Sequence, residues 1–174
     1  WRLTPGDKGK DKKIPFNPET GRPAASNKPE TWSDYETAAD AYDRYGYTGV
    51  GFMFTKDSGI VGVDIDHCYD KITGEFNDTA KAIISKQSTY TEFSPSGTGI
   101  HLFFKGRMPE GGSKNSTTGV EMYDSLRYFT MTGNKLEGAP DIIADDNGTL
   151  AWIHETYIRS AKKSKKKSRS KKNA

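Results

Sequence analysis

Three short runs hold the residue types most able to do chemistry: VDID (63–66), SPSGTGIH (94–101) and VEMYD (120–124). Asp64 and Asp66 close an apolar, β-type run that begins at Ile60. In a strand their spacing puts both carboxylates on one face, about 6.6 Å apart along the chain. Like charges that near repel, and they are tolerated on a solvated loop or around a cation. Glu121 offers a third carboxylate from a later run, and three carboxylates suit hard ions such as Mg²⁺ or Mn²⁺. Two such ions about 3.5–4 Å apart can clamp an in-line phosphoryl transfer. His101 and Lys105 are the groups expected to meet a polyphosphate. In SPSGTG, small residues including Ser96, Gly97 and Gly99 would let backbone N–H groups approach a phosphate closely.

Strand parity says how these side chains can share a surface. Val61, Val63 and Ile65 fall on one face and Asp64 and Asp66 on the other. Ile100, Leu102 and Phe104 oppose His101 and Lys105, and Val120 and Met122 oppose Glu121 and Tyr123. One sheet with one buried face can therefore present Asp64, Asp66, His101, Lys105 and Glu121 together. Parity permits this convergence, and the strand order decides it.

The elements that must do the positioning are an irregular mixture of helices and strands. Residues 1–31 read as an extended, turn-rich arm. A capping box, with Ser33 as N-cap and Glu36 three residues on, opens a helix that Gly46 ends. Its expected packing residues are Tyr35, Ala38, Ala39, Tyr42 and Tyr45. Strands are predicted at 49–55 and 59–66, joined as a hairpin by KDS. A helix over 78–87 is capped by Asn77 or Asp78 and buries Ala80, Ile83 and Ile84. Further strands are predicted at 88–93, 100–106, 119–124 and 127–133, with polar, Gly-rich loops at 94–99 and 107–118. A last helix over 149–161 would pack Leu150, Trp152, Ile153, Tyr157 and Ile158. The pattern predicts an α+β fold with a mostly antiparallel sheet.

Composition narrows the setting. The chain has 174 residues and a single cysteine, Cys68, so no internal disulfide forms and nothing points to an oxidising compartment. No apolar run approaches the roughly 18 residues a membrane span needs, and no secretory signal is visible. The net charge of +3 conceals two regions. Residues 162–172, KKSKKKSRSKK, hold 8 basic residues and no acid, and without them 18 basic residues stand against 23 acidic ones. An acidic domain over 1–161 followed by a disordered basic tail, 162–174, is the expected organisation. The tail suits either phosphate contacts or a linker. The first residue is Trp1, not methionine, and the chain is expected to be part of something longer.

Taken in order, VDID, SPSGTGIH and VEMYDSLRYFTMTGN resemble the three-motif signature of the archaeo-eukaryotic primase superfamily. More narrowly, they resemble the primase-polymerase domains of phages and plasmids. The likeness covers about residues 1–160 and includes the Pro/Lys-rich arm. It implies an RRM-like, mostly antiparallel catalytic sheet beside an N-terminal α/β module. It implies Asp64 and Asp66 as the metal ligands of the first motif, His101 as the nucleotide-contacting histidine of the second with Ser96 beside it, and Glu121 as the acid of the third. Asp124 is the rival for that last role. Arg127 would contact a triphosphate, and Thr130, Thr132 and Asn134 would lie near the nucleotide. The implied reaction is attack of a 3′-hydroxyl on the α-phosphate of a dNTP or NTP on a DNA template, with two Mg²⁺ or Mn²⁺ ions. The implied partners are single-stranded or primer-template DNA and a helicase or accessory domain beyond this chain, in the cytoplasm of a host cell. A monomer with no membrane partner is expected from the sequence itself, which shows no oligomer signature and no long apolar run.

Three other readings compete. Asp64, Asp66 and Glu75 fall at positions 1, 3 and 12 of a calcium loop, though Cys68 and Tyr69 break its pattern at positions 5 and 6. A metal-dependent nuclease would use the same carboxylates. A single-strand-binding module would use aromatic rings for stacking, with Phe103 and Tyr123 as candidates and Tyr35, Tyr42 and Tyr45 read as core.

Overall fold

A computed structural model describes residues 1–6 and 11–159. In chain order the early strands are β1 (Arg2–Thr4), β2 (Lys12–Ile14), β3 (Gly51–Phe54), β4 (Ile60–Ile65), β5 (Tyr69–Asp70) and β6 (Glu75–Phe76). The later ones are β7 (Thr91–Phe93), β8 (Ile100–Lys105), β9 (Lys114–Asn115), β10 (Val120–Tyr123), β11 (Arg127–Thr130) and β12 (Ala144–Asp145). The helices are α1 (Tyr35–Tyr45), α2 (Asp78–Ser85) and α3 (Thr149–Ile153), and α3 runs on as a π-helical segment over His154–Arg159. The basic tail and the end of the predicted last helix lie outside the described residues. Among the described residues no helix is long and apolar enough to cross a membrane.

The chain divides into two compact units, one built from Trp1–Phe54 with Ser125–Thr132 and the other from Thr55–Asp124 with the chain from Gly133 onward. In the first, β1 pairs with β2 and β3 with β11, both antiparallel. The expected arm thus carries a small sheet of its own. It is tied down at its first residue, where the Trp1 amino group donates to the Gly49 carbonyl and the indole N–H to that of Val50. Helix α1 starts one residue later than the capping box predicts. Asp34, not Ser33, is the N-cap and accepts the Thr37 amide at 2.8 Å, while the Ser33 hydroxyl turns to the Asp34 carbonyl. Asp and Ser cap about equally well, so the adjacent pair leaves the start ambiguous in sequence. Gly46 ends the helix in the left-handed region, as expected.

The predicted packing stripe of α1 is corrected. Ala41 is its buried residue, whereas Tyr35, Tyr42 and Tyr45 are exposed, Tyr35 at 75%. Instead of a filled core, Tyr35 and Ala38 border a cavity of about 530 Å³ that Trp1, Phe16, Trp32 and Phe52 also line. The KDS hairpin is corrected too. Lys56–Ser58 is a 3₁₀ turn, and the strands on either side take other partners: β3 pairs with β11, and β4 with β8 and β10.

The second unit is built on a sheet ordered β12–β8–β4–β10–β9, with β7 sharing the outer edge of β8. All its pairings are antiparallel except β12 with β8. Val61, Val63, Ile65, Ile100, Leu102, Phe104, Val120 and Met122 cover one face, as parity predicts. They pack with Ala80 and Ile83 of α2 and with Leu150, Ile153 and Ile158. Asn77 caps α2 by accepting the Ala80 amide at 2.9 Å.

Two glycines fix the end of β4. A Cβ on Gly99 would stand 2.8 Å from the Ile65 carbonyl oxygen, and one on Gly119 2.9 Å from that of Asp66. Gly119 also holds a φ of +71°, which side-chain-bearing residues resist. Both contacts are to backbone, so a side chain there must displace the strand that carries the aspartates. Gly119→Ala is expected to lower stability by about 1–3 kcal/mol, the scale of a strained backbone site. A thermal midpoint equal to that of the wild type would contradict this packing.

Candidate active site

The strand order brings the predicted acids and histidine into one line. Asp64 on β4 is the register partner of Glu121 on β10 and of His101 on β8. His101 is in turn the partner of Glu92 on β7, and Glu121 of Lys114 on β9. Directly opposed residues in an antiparallel pair keep their Cβ atoms about 4.5–5.5 Å apart. The row Glu121–Asp64–His101–Glu92 is thus a direct product of register on the face away from the core. His101 Nε2 lies 3.9 Å from Asp64 Oδ1, and His101 Nδ1 lies 3.5 Å from Glu92 Oε1. Both are ion-pair distances, long for hydrogen bonds.

The next row explains how the acids are held. Tyr123 opposes Gly62, and Gly62 opposes Phe103. The Tyr123 hydroxyl donates to Glu121 Oε2 at 2.7 Å, and the Tyr90 hydroxyl donates to Glu92 Oε2 at 2.9 Å. Each tyrosine sits two residues from its acid, the spacing that puts both on one strand face. Burial, reinforced by the Glu92 charge, pushes the Tyr90 hydroxyl well above the ordinary tyrosine range, so it remains a donor. Phe103 is buried at 2% exposure, and the Tyr123 hydroxyl is engaged with Glu121. Phe103 therefore packs and gives no open stacking platform.

The other expected site residues divide. Asp66 follows β4, is exposed, and donates its amide to the Gly119 carbonyl at 2.9 Å. His67 beside it turns the chain with a φ of +50°. Asp124 is not in the row. It follows β10 and pairs with Lys56 at 3.3 Å, which leaves Glu121 as the acid opposite Asp64. Lys105 shares a face with His101 but opposes Ile60 at the far end of β8, about 13 Å along the strand. Arg127 and Thr130 lie on β11 and Thr132 just beyond it, all in the first unit.

The loop 94–99 uses much of its hydrogen bonding on itself. The Gly97 amide donates to the Ser94 carbonyl and the Ser94 amide to that of Gly99. The hydroxyls of Ser94, Ser96 and Thr98 form a chain with 3.0 Å steps. Gly97 is better explained by its φ of +67°, and Gly99 by its approach to β4, than by a phosphate cradle. A cation does lie over this loop. A Cβ on Gly97 would meet Lys71 Cε at 2.8 Å and Nζ at 2.9 Å.

Sequence reading missed Lys71 and Glu92. Glu92 left a signal, an acid inside a β-type run and two residues after a tyrosine. Nothing local marked Lys71, which the β5–β6 hairpin carries. That hairpin also overturns the calcium-loop reading. Asp64 lies in a strand, Asp70 accepts the Ile72 amide, and Glu75 pairs with Lys81 at 2.6 Å.

The donor set suits a hard cation. Asp64 and Glu121 are adjacent and Asp66 closes the same strand, all offering carboxylate oxygen. Among the described residues, however, no group of three or more His, Cys, Asp or Glu side chains is gathered in a metal-holding arrangement. The fit is one of chemistry and register, and drawing in Asp66 requires side-chain rearrangement.

Comparison with known proteins puts the chain with the primase-polymerase domains of phages, the group its motifs resemble. It is a homologue of the DNA primase-polymerase of Nitratiruptor phage NrS-1, 37% identical over 158 residues. The match takes in 88% of this chain and 22% of that protein, so the chain spans about a fifth of the length of its curated relative. No family model matches the chain.

Cys68 gives an independent check on this strand end. It is buried at 2% exposure, and burial, followed by the charges of Asp64 and Asp66, pushes its thiol up to about 12. Since the thiolate is the reactive form, a thiol reagent at pH 8 is expected to label Cys68 only after unfolding. Labelling of the native protein at the unfolded rate would contradict the placement.

Proposed function

We propose that this chain carries the nucleotidyl-transfer site of a template-dependent DNA primase or polymerase. The supporting observation is the register that sets Asp64 between Glu121 and His101. Asp64, Asp66 and Glu121 would hold Mg²⁺ or Mn²⁺. Bound there, such ions supply Lewis-acid stabilisation of the phosphoryl oxygens and lower the pKa of an attacking hydroxyl. The chain's own groups do the rest. His101 presents its ring to the incoming triphosphate, and Lys71, over the 94–99 loop, adds a positive charge. Tyr123 fixes Glu121 by its hydroxyl, which limits the rotamers the acid must give up on binding. The substrates on this reading are a dNTP or NTP and a primer 3′-hydroxyl on a DNA template.

The test is extension of a labelled primer on a template with dNTPs and Mg²⁺ or Mn²⁺. Wild type is expected to add template-matched nucleotides. Asp64→Asn and Glu121→Gln are expected to lose at least about 100-fold, since several kcal/mol of charge stabilisation goes with a metal ligand. Asp124→Asn, which weakens the pair with exposed Lys56 and lies outside the row, is expected to retain activity. No extension by wild type under either metal would overturn the reading. Metal-dependent loss of the labelled strand without dNTPs would indicate a nuclease instead.

A further inference from the structure

Glu92 is the most deeply buried acid of the row, at 0% exposure, and none of the three motifs contains it. Burying a carboxylate is costly unless its oxygens find donors. Here Oε2 receives two, the Tyr90 hydroxyl at 2.9 Å and the Gly133 amide at 2.9 Å. The other oxygen, Oε1, faces His101 Nδ1 at 3.5 Å. The other ring nitrogen, Nε2, faces the Asp64 side. His101 is itself buried at 4%, so its ring has few orientations to choose from.

We propose that Glu92 is a positioning residue for His101. Its carboxylate is fixed by Tyr90 and Gly133, holds the Nδ1–H, and so turns Nε2 toward the substrate, where it donates to a phosphate oxygen once the ring carries its second proton. A histidine's tautomer is set by the partner of the nitrogen that does not meet the substrate. An acceptor on the Nδ1 side therefore settles both which nitrogen carries the fixed proton and which way the ring turns. The 3.5 Å separation is of the kind that tightens when a ligand occupies the site. Glu92 touches no reacting atom and acts only through His101. What His101 then does rests on the nucleotidyl-transfer reading above, whereas its tautomer does not.

The test reads the ring directly. Protein labelled with ¹⁵N-histidine contains three rings, His67, His101 and His154, and the His101 signals are identified by their loss in His101→Asn. Neutral His101 in wild type is expected to carry its proton on Nδ1 without any substrate. In Glu92→Gln that preference is expected to weaken, with the Nε2–H form appearing. Where the protein extends primers, kcat should fall about 10- to 100-fold, the usual cost of removing a group that orients a functional imidazole. Glu92→Asp should recover part of both signals. A thermal unfolding curve for each variant separates this from general destabilisation, and Tyr90→Phe, which removes one tether and leaves the carboxylate, should loosen the preference in the same direction. The Nδ1–H form in wild type and its weakening in Glu92→Gln would support the proposal even in a protein that extends no primer. Wild-type His101 holding its neutral proton on Nε2, or an unchanged tautomer in folded Glu92→Gln, would overturn it even in an active polymerase.

Discussion

The pairing of β4 between β8 and β10 is the constraint on which the site depends. A strand alternates its faces with a period of two, so a slip of one residue in either pairing would move every side chain to the opposite face. Val61, Val63 and Ile65 resist that slip because they are buried on the core side with Ile100, Leu102, Val120 and Met122. Hydrophobic burial on one face therefore holds the alignment of charged groups on the other. The alignment that seals the core also sets Asp64 beside Glu121 and His101.

Such a row has an electrostatic cost. Three carboxylates and an imidazole on adjacent strands repel or need compensation, and buried polar groups must find partners. The chain compensates with donors on the same face. Tyr123 serves Glu121, and Tyr90 with the Gly133 amide serves Glu92. Gly62 lies between the two aromatic residues Tyr123 and Phe103 in the same cross-strand row, where a large side chain would compete with them for space. The face is a pre-set polar network whose members depend on one another, so deleting one acceptor or donor should cost more than a single hydrogen bond.

Much of this was legible in the sequence, because strand periodicity is a local property. Parity alone separated core residues from polar ones on β4, β8 and β10, and the three motifs singled out Asp64, His101 and Glu121. What parity could not supply was strand order. It gave Lys105 the same standing as His101, although register sends it to the far end of β8. It joined β3 to β4 across KDS because the spacing suits a hairpin, whereas the ladder partners come from distant parts of the chain. It gave α1 a packing stripe of tyrosines, but a helix face lines a cavity as readily as a core. Glu92 stayed unnoticed because its meaning lies in its cross-strand neighbour, and β7 meets β8 only in the folded sheet.

The first unit is made of two stretches of chain, and that arrangement bears on how the protein is made. Phe54 at the end of β3 waits for Arg127, its register partner on β11, and every strand of the second unit's sheet except β12 is synthesised in between. Closing so long a loop from a random coil carries an entropic penalty, which shrinks once the intervening segment has already collapsed. The sheet that bears the carboxylates can form while β3 still lacks its partner strand, and β3 with β11 then closes over short effective distances. During that interval β3 exposes Phe52, Met53 and an open ladder edge, so it is the stretch of the nascent chain most exposed to pairing with another copy.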